Sequence, residues 1–149
     1  MAALILAFGL LVQLFAPVSY ADEPVYNAPA GRSGPTPYSE AVVYGDLIFL
    51  AGHLGRDPET GKLAPGGIQP QTRQALENLQ ASLERAGGSM DRVLKCTVFL
   101  ASFDEWAAMN EVYVTFFENK PVRTAVGNAG MGSETRVEIE CIAAAPDND

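Results

Sequence analysis

The sequence predicts an α+β domain: a mixed β-sheet with two helices packed on one face. Three observations lead there. Five segments have the length and apolar content of strands, and two have helical periodicity. Their order is strand–strand–helix–strand–helix–strand–strand, which builds one two-layer unit. No internal repeat or second-domain signal interrupts it, and 149 residues suit a single sizeable core.

The chain begins with "MAALILAFGLLVQLFAPVSYA", which carries no charge. Its apolar run, Ala2 to Ala16, is shorter than the about 20 residues of a membrane span. Ser19-Tyr20-Ala21 places small residues three and one before Asp22. Residues 1–21 therefore read as a cleavable secretory signal, and export, to a periplasm or outside the cell, is expected. No Lys or Arg precedes the apolar run, which leaves an uncleaved anchor as the alternative.

Residues 22–37, "DEPVYNAPAGRSGPTP", read as an irregular arm; 38–145 form the domain and 146–149 a polar tail. Ala41–Tyr44 and Leu47–Ala51 are strands joined at Gly45-Asp46, a tight hairpin turn. "LIFLA" is apolar throughout, so both of its faces should be covered. Pro70 to Ala86 is helical, with Leu76, Leu79, Leu83 and Ala86 on one stripe, and Gly87-Gly88 stops it. Val93–Leu100 is a strand with Leu94, Cys96, Val98 and Leu100 on one side. Ser102 and Glu105 have capping-box spacing for a second helix, with an inner stripe of Phe103, Ala107, Asn110, Val114 and Phe117. Val122–Val126 and the segment around Val137–Cys141 close the sheet. Two helices cover one sheet face only, so the other should pack against a second subunit in a homo-oligomer.

Composition narrows the function. Eighteen acidic against ten basic residues give a net charge of −8, which opposes binding to phosphate backbones. One histidine excludes a multi-histidine metal centre, and Cys96 and Cys141 are too few and too far apart for zinc. The two cysteines read as small buried core residues; export permits a disulfide between them without requiring it.

Chemistry concentrates in "KPVRTAVGNAGMGSETRVEIECIAAA". If Val122, Thr124 and Val126 face the helices, Arg123, Ala125 and Gly127 project from the other face, together with Glu138 and Glu140 of the partner strand. A guanidinium beside small residues leaves room for a carboxylate ligand. An interfacial Arg–Glu salt bridge explains the same pattern equally well. Asn110 reads as a cap for a buried backbone group, Tyr38 as a turn aromatic or a pocket hydroxyl, and His53 as the partner in a local hydrogen bond, with a catalytic role the lesser alternative.

The chain from "PYSEAVVYGDLIFLAG" through "DPETGKL", "IQPQTRQALENLQASLERAG" and "VLKCTVFLASFDEWAAMNEVYVTFF" to "PVRTAV…VEIECIA" resembles the RidA/YjgF family of enamine/imine deaminases. That resemblance implies a chorismate-mutase-like or YjgF-like subunit, a homotrimer with interfacial pockets, and no metal or organic cofactor. It implies hydrolysis of 2-aminoacrylate-like enamines, or their imine tautomers, to 2-keto acids and ammonia. Arg123 would then bind the substrate carboxylate and Glu138 would manage water and protons. Tyr38 and Asn110 match pocket positions of the family, and His53 and Ala125 fall at two more. His53 stands where the family usually has glutamine, and Ala125 where many members carry a thiol or hydroxyl. A non-catalytic carboxylate-binding or chaperone-like trimer is the alternative, with ribonuclease activity third.

Overall fold

The computed structural model describes residues 23–31, 34–132 and 134–146. The signal read at 1–21 lies outside the described residues, as does the polar tail beyond Pro146.

Among the described residues, the strands and α-helices follow in chain order: β1 (Val25–Asn27), β2 (Ala41–Tyr44), β3 (Leu47–Leu50), β4 (His53–Leu54), α1 (Ile68–Arg85), β5 (Val93–Leu100), α2 (Trp106–Tyr113), β6 (Val122–Val126) and β7 (Val137–Ala144). They form one mixed sheet in the order β1-β2-β3-β7-β5-β6, with β4 also paired to β7. Every pairing is antiparallel except β5–β6, which is parallel because α2 provides the crossover between them. The predicted α+β layering is therefore the observed one. The segment read as irregular adds β1, and the chain after β3 adds the two-residue β4.

Helix α1 starts two residues before the predicted Pro70. Proline is tolerated there because first-turn N–H groups have no intrahelical acceptor. Its C-terminus is a Schellman motif: the Gly88 N–H donates to Leu83 O (2.9 Å) and the Gly87 N–H to Glu84 O (3.0 Å), with Gly87 at φ 86°. Leu76, Leu79 and Leu83 are fully buried against the sheet.

Three expectations fail in instructive ways. Leu94 is exposed because a bulge between Val93 and Lys95 inserts it as an extra residue; Val93, Cys96, Val98 and Leu100 face the core instead. The inner stripe of α2 is Met109, Val112 and Tyr113, continued by Phe117, while Phe103 and Val114 are solvent-exposed. Ser102 accepts from the Asp104 N–H (3.2 Å), but Glu105 turns to Arg136 (3.4 Å) and no reciprocal capping box closes. Residues 103–105 form a 3-10 turn ahead of α2.

The core lies between the helices and one sheet face, where Ile48, Val98, Val137, Ile139 and Leu100 are fully buried. Cys96 and Cys141, directly opposite on β5 and β7, are joined in a disulfide with Cα atoms 4.1 Å apart. They are core residues, as the sequence suggests, and also a cross-strand link.

Among the described residues, no helix covers the second sheet face. Pairing register assembles on it Tyr44, Leu47, Phe49, Ile142, Phe99, Val122 and Val126, with Glu138 and Glu140 among them. Of these, Tyr44, Leu47, Phe49, Val122 and Val126 are large exposed hydrophobics.

Candidate functional site

Strand β6 is the sheet edge, and its orientation is the reverse of the predicted one. Arg123 pairs with Cys96 and Ala125 with Val98, so both belong to the helix-covered face. Val122, Thr124 and Val126 point to the open face. An arginine can lie toward the helices here because α2 offers aromatic rings, not aliphatic core. The Arg123 guanidinium carbon sits 4.5 Å from the Tyr113 ring centroid and 6.0 Å from that of Trp106. Ring faces carry negative charge density and hold a cation without satisfying its N–H donors. Arg123 makes no hydrogen bond or ion pair among the described residues. It is half-buried, prepositioned and unpaired.

Asn110 lies four residues after Trp106 and three before Tyr113, so helical spacing places it on the side of α2 that meets Arg123. Its polarity is thereby explained: Asn110 is half-buried and borders the core stripe of α2 on the side of Arg123. Ala125, two residues from Arg123 on the same strand face, adds only a methyl group. Trp106 and Tyr113 were missed by sequence reasoning. Their signal is their spacing around Asn110, four before and three after, which puts two rings on one helical face.

Glu138 stands on the opposite, open face. It pairs with Phe99 on one side and Leu54 on the other. Its carboxylate lies over Gly52, where a Cβ would come within 2.0 Å of Oε1. Glycine at 52 is thus the seat of the carboxylate. Tyr38 is exposed, two residues before Glu40, whose carbonyl accepts from the Ala51 N–H (2.9 Å). Glu138 over Gly52 therefore lies on one side of the sheet, and Arg123 with Ala125 on the other. The sequence expectation that Arg123 and Glu138 share a face is corrected.

His53 belongs to neither group. It is buried beneath α1, its Nδ1–H donating to Ala51 O (2.8 Å) and its Nε2 2.7 Å from Ser82 Oγ. Ser82 is 2.5 Å from Glu40 Oε1, and Arg85 closes the network on the same oxygen at 2.6 Å. Burial pushes the His53 pKa down against the opposing pull of the Ala51 carbonyl and Glu40. Glu40 is also lowered: burial acts to raise it, but hydrogen bonds from Ser82 and Ala30 and the Arg85 charge outweigh that. His53 thus engages both ring nitrogens in a structural network, away from the Arg123 guanidinium.

The Tyr113 hydroxyl is buried and has no hydrogen-bond partner among the described residues. Desolvation raises its pKa to about 12 although the Arg123 charge pulls the other way. It stays protonated at any physiological pH.

Comparison with known proteins adds a family. Residues 29–145 match the model described as Endoribonuclease L-PSP. A RutC family protein of Pyrococcus horikoshii is 46% identical over 108 residues, covering 72% of this chain and 86% of its own. A rat 2-iminobutanoate/2-iminopropanoate deaminase is 41% identical over 107 residues, covering 71% and 78%. Escherichia coli TdcF, solved with bound serine, superposes with a TM-score of 0.69 at 35% identity, covering 74% of this chain and 90% of that one.

Proposed function

The chain belongs to the Endoribonuclease L-PSP family, the RidA/YjgF group, and from that premise we propose that it hydrolyses 2-imino acids to 2-keto acids and ammonia. The observation that carries this reading is the unpaired Arg123 guanidinium over Tyr113. Its planar fork suits a carboxylate bidentately, and the methyl group of Ala125 leaves space beside it. A serine-bound relative and relatives named for imino-acid substrates both fit a small carboxylate there.

The chemistry asks little beyond orientation and proton management. With its carboxylate on Arg123, the substrate presents an already electrophilic imine carbon. A water held by Glu138 adds to that carbon, and its proton passes by way of the carboxylate to nitrogen. The carbinolamine then passes its hydroxyl proton by the same route to nitrogen, the C=O bond forms as the C–N bond breaks, and ammonia leaves a 2-keto acid. The steps require no covalent nucleophile, which agrees with alanine at 125.

Arg123 and Glu138 face opposite sides of one sheet, so one chain cannot place both on one small acid. The site is completed by a second copy: the open apolar face of one subunit, with Glu138 and Gly52, packs toward the Arg123 side of its neighbour. In a cyclic arrangement, the homotrimer that the family resemblance implies, each junction holds one such pocket. The Cys96–Cys141 disulfide fits folding in an oxidising compartment and supports export.

The test is ammonia or keto-acid release from imino acids generated in situ by an amino-acid oxidase. Wild type should accelerate release. Arg123→Ala should lose about a hundredfold or more in kcat/KM, the scale of two charge-assisted hydrogen bonds. Unchanged activity in Arg123→Ala would overturn the reading. Arg123-dependent binding of pyruvate without turnover would favour a carboxylate-binding protein instead. Ribonuclease activity has no support in the charge, which is −8.

A further inference from the structure

We propose that Tyr113 is a positioning residue for the carboxylate-binding arginine, acting through the face of its ring and not through its hydroxyl. The inference rests on the reading of Arg123 given above and deepens it.

A free arginine side chain samples many rotamers, and fixing one for ligand costs affinity. In β6 the neighbours of Arg123 on its own face are too small to fix it: Ala125 follows on the strand, and Cys96 beside it is tied to Cys141. No acceptor among the described residues holds the guanidinium. What lies against it is the Tyr113 ring, 4.5 Å away, with Trp106 more distant at 6.0 Å. Such a contact holds the cation while leaving all five N–H donors for a ligand, which a salt bridge would not do.

Tyr113 is itself immobile. It is 5% exposed and belongs to the inner stripe of α2. Its ring packs against Phe117 with centroids 4.6 Å apart. The platform is therefore part of the core, and the cation rests on it from the site side. The hydroxyl takes no part in this contact: it is buried and makes no hydrogen bond among the described residues. Such a group ordinarily destabilises, so its removal should be harmless or favourable.

The experiment separates ring from hydroxyl and shape from charge. Tyr113→Phe is compared with a series carrying mono-, di- and trifluorophenylalanine at position 113, which keeps ring size while draining its negative face. Readouts are KM and kcat for 2-iminopropanoate generated in situ, and Kd for pyruvate. Tyr113→Phe should keep KM within about twofold of wild type and be at least as stable. Fluorination should raise KM and Kd stepwise, by about 2- to 30-fold at the end of the series, with kcat nearly constant. A merely structural ring would leave KM flat along the series, and that result overturns the proposal. Tyr113→Phe losing as much as the trifluoro variant would also overturn it, because the hydroxyl would then carry the role. Arg123→Ala in the same assay distinguishes the two levels. If Arg123→Ala is inactive and the series is flat, the platform alone fails; if Arg123→Ala is fully active, the carboxylate-clamp reading itself fails.

Discussion

Replacing Gly52 by alanine should damage catalysis and spare the fold, whereas the same change at Gly55 should do the reverse. At Gly52 an added Cβ would lie 2.0 Å from Glu138 Oε1, 2.8 Å from Cδ and 3.0 Å from Cγ. Ordinary contact begins near 3.4 Å, so the carboxylate must retreat by about 1.4 Å. The clashing atoms are the far end of a flexible side chain, and Gly52 has no positive φ, so stability should change by less than about 1 kcal/mol. Displacing a water-holding group by more than about 1 Å costs on the order of a hundredfold in kcat. At Gly55 the new Cβ would meet backbone: Gln71 O at 2.3 Å, Cα at 2.6 Å and C at 2.8 Å. No rotamer relieves that contact, so α1 must move off β4, at about 3 kcal/mol or more and a fall in Tm of roughly 10 °C. The assay pairs thermal unfolding with kcat on 2-iminopropanoate for both variants. Wild-type kcat in Gly52→Ala would refute the reasoning that this glycine seats a working carboxylate. Equal loss of stability in the two variants would refute the geometric distinction.

Other outcomes follow from the same structure. The Cys96–Cys141 bond closes a separation of 45 residues, so a Cys96→Ala/Cys141→Ala double variant should lose about 4 kcal/mol in denaturant unfolding, and reductant should affect wild type only. His53 has a lowered pKa, so below about 6.5 the unfolded chain binds more protons than the folded one, and stability should fall as pH drops from 7.5 to 5. Glu40 is likewise lowered and adds a second loss below about 4.5. His53→Gln should remove the upper part of this pH dependence, leaving a Tm that is flat until the Glu40 range; an unaltered Tm profile would contradict that assignment.

Much of the fold is legible because its buried faces are strongly periodic. Leu76, Leu79 and Leu83 announce α1, and Val137, Ile139 and Cys141 announce the inner face of β7. Where two faces are both apolar, periodicity cannot choose between them. Helix α2 and its flanks carry Met109, Val112 and Phe117 toward the core and Phe103, Trp106 and Val114 outward, so apolar content alone does not mark the inner stripe. The same ambiguity inverted β6, where the larger apolar residues, Val122 and Val126, are the outward set and Arg123 faces the helix. Chains that reserve apolar surface for a partner blur the inside–outside contrast on which alternation relies. The bulge at Leu94 and the disulfide are pairing properties, which one strand's sequence does not contain. Gly52 is legible only in hindsight, since its meaning lies in a carboxylate 86 residues later in the chain.

The central claim is that Arg123 of one subunit and Glu138 of another share one pocket. Arg123→Ala and Glu138→Gln chains, each purified alone, should have almost no imine hydrolase activity. Co-refolded at equal amounts, they should regain activity at about one site in four, the chance that adjoining subunits of a mixed ring supply one intact group each. A mixture no more active than its two parents would contradict the claim and return both residues to a single chain.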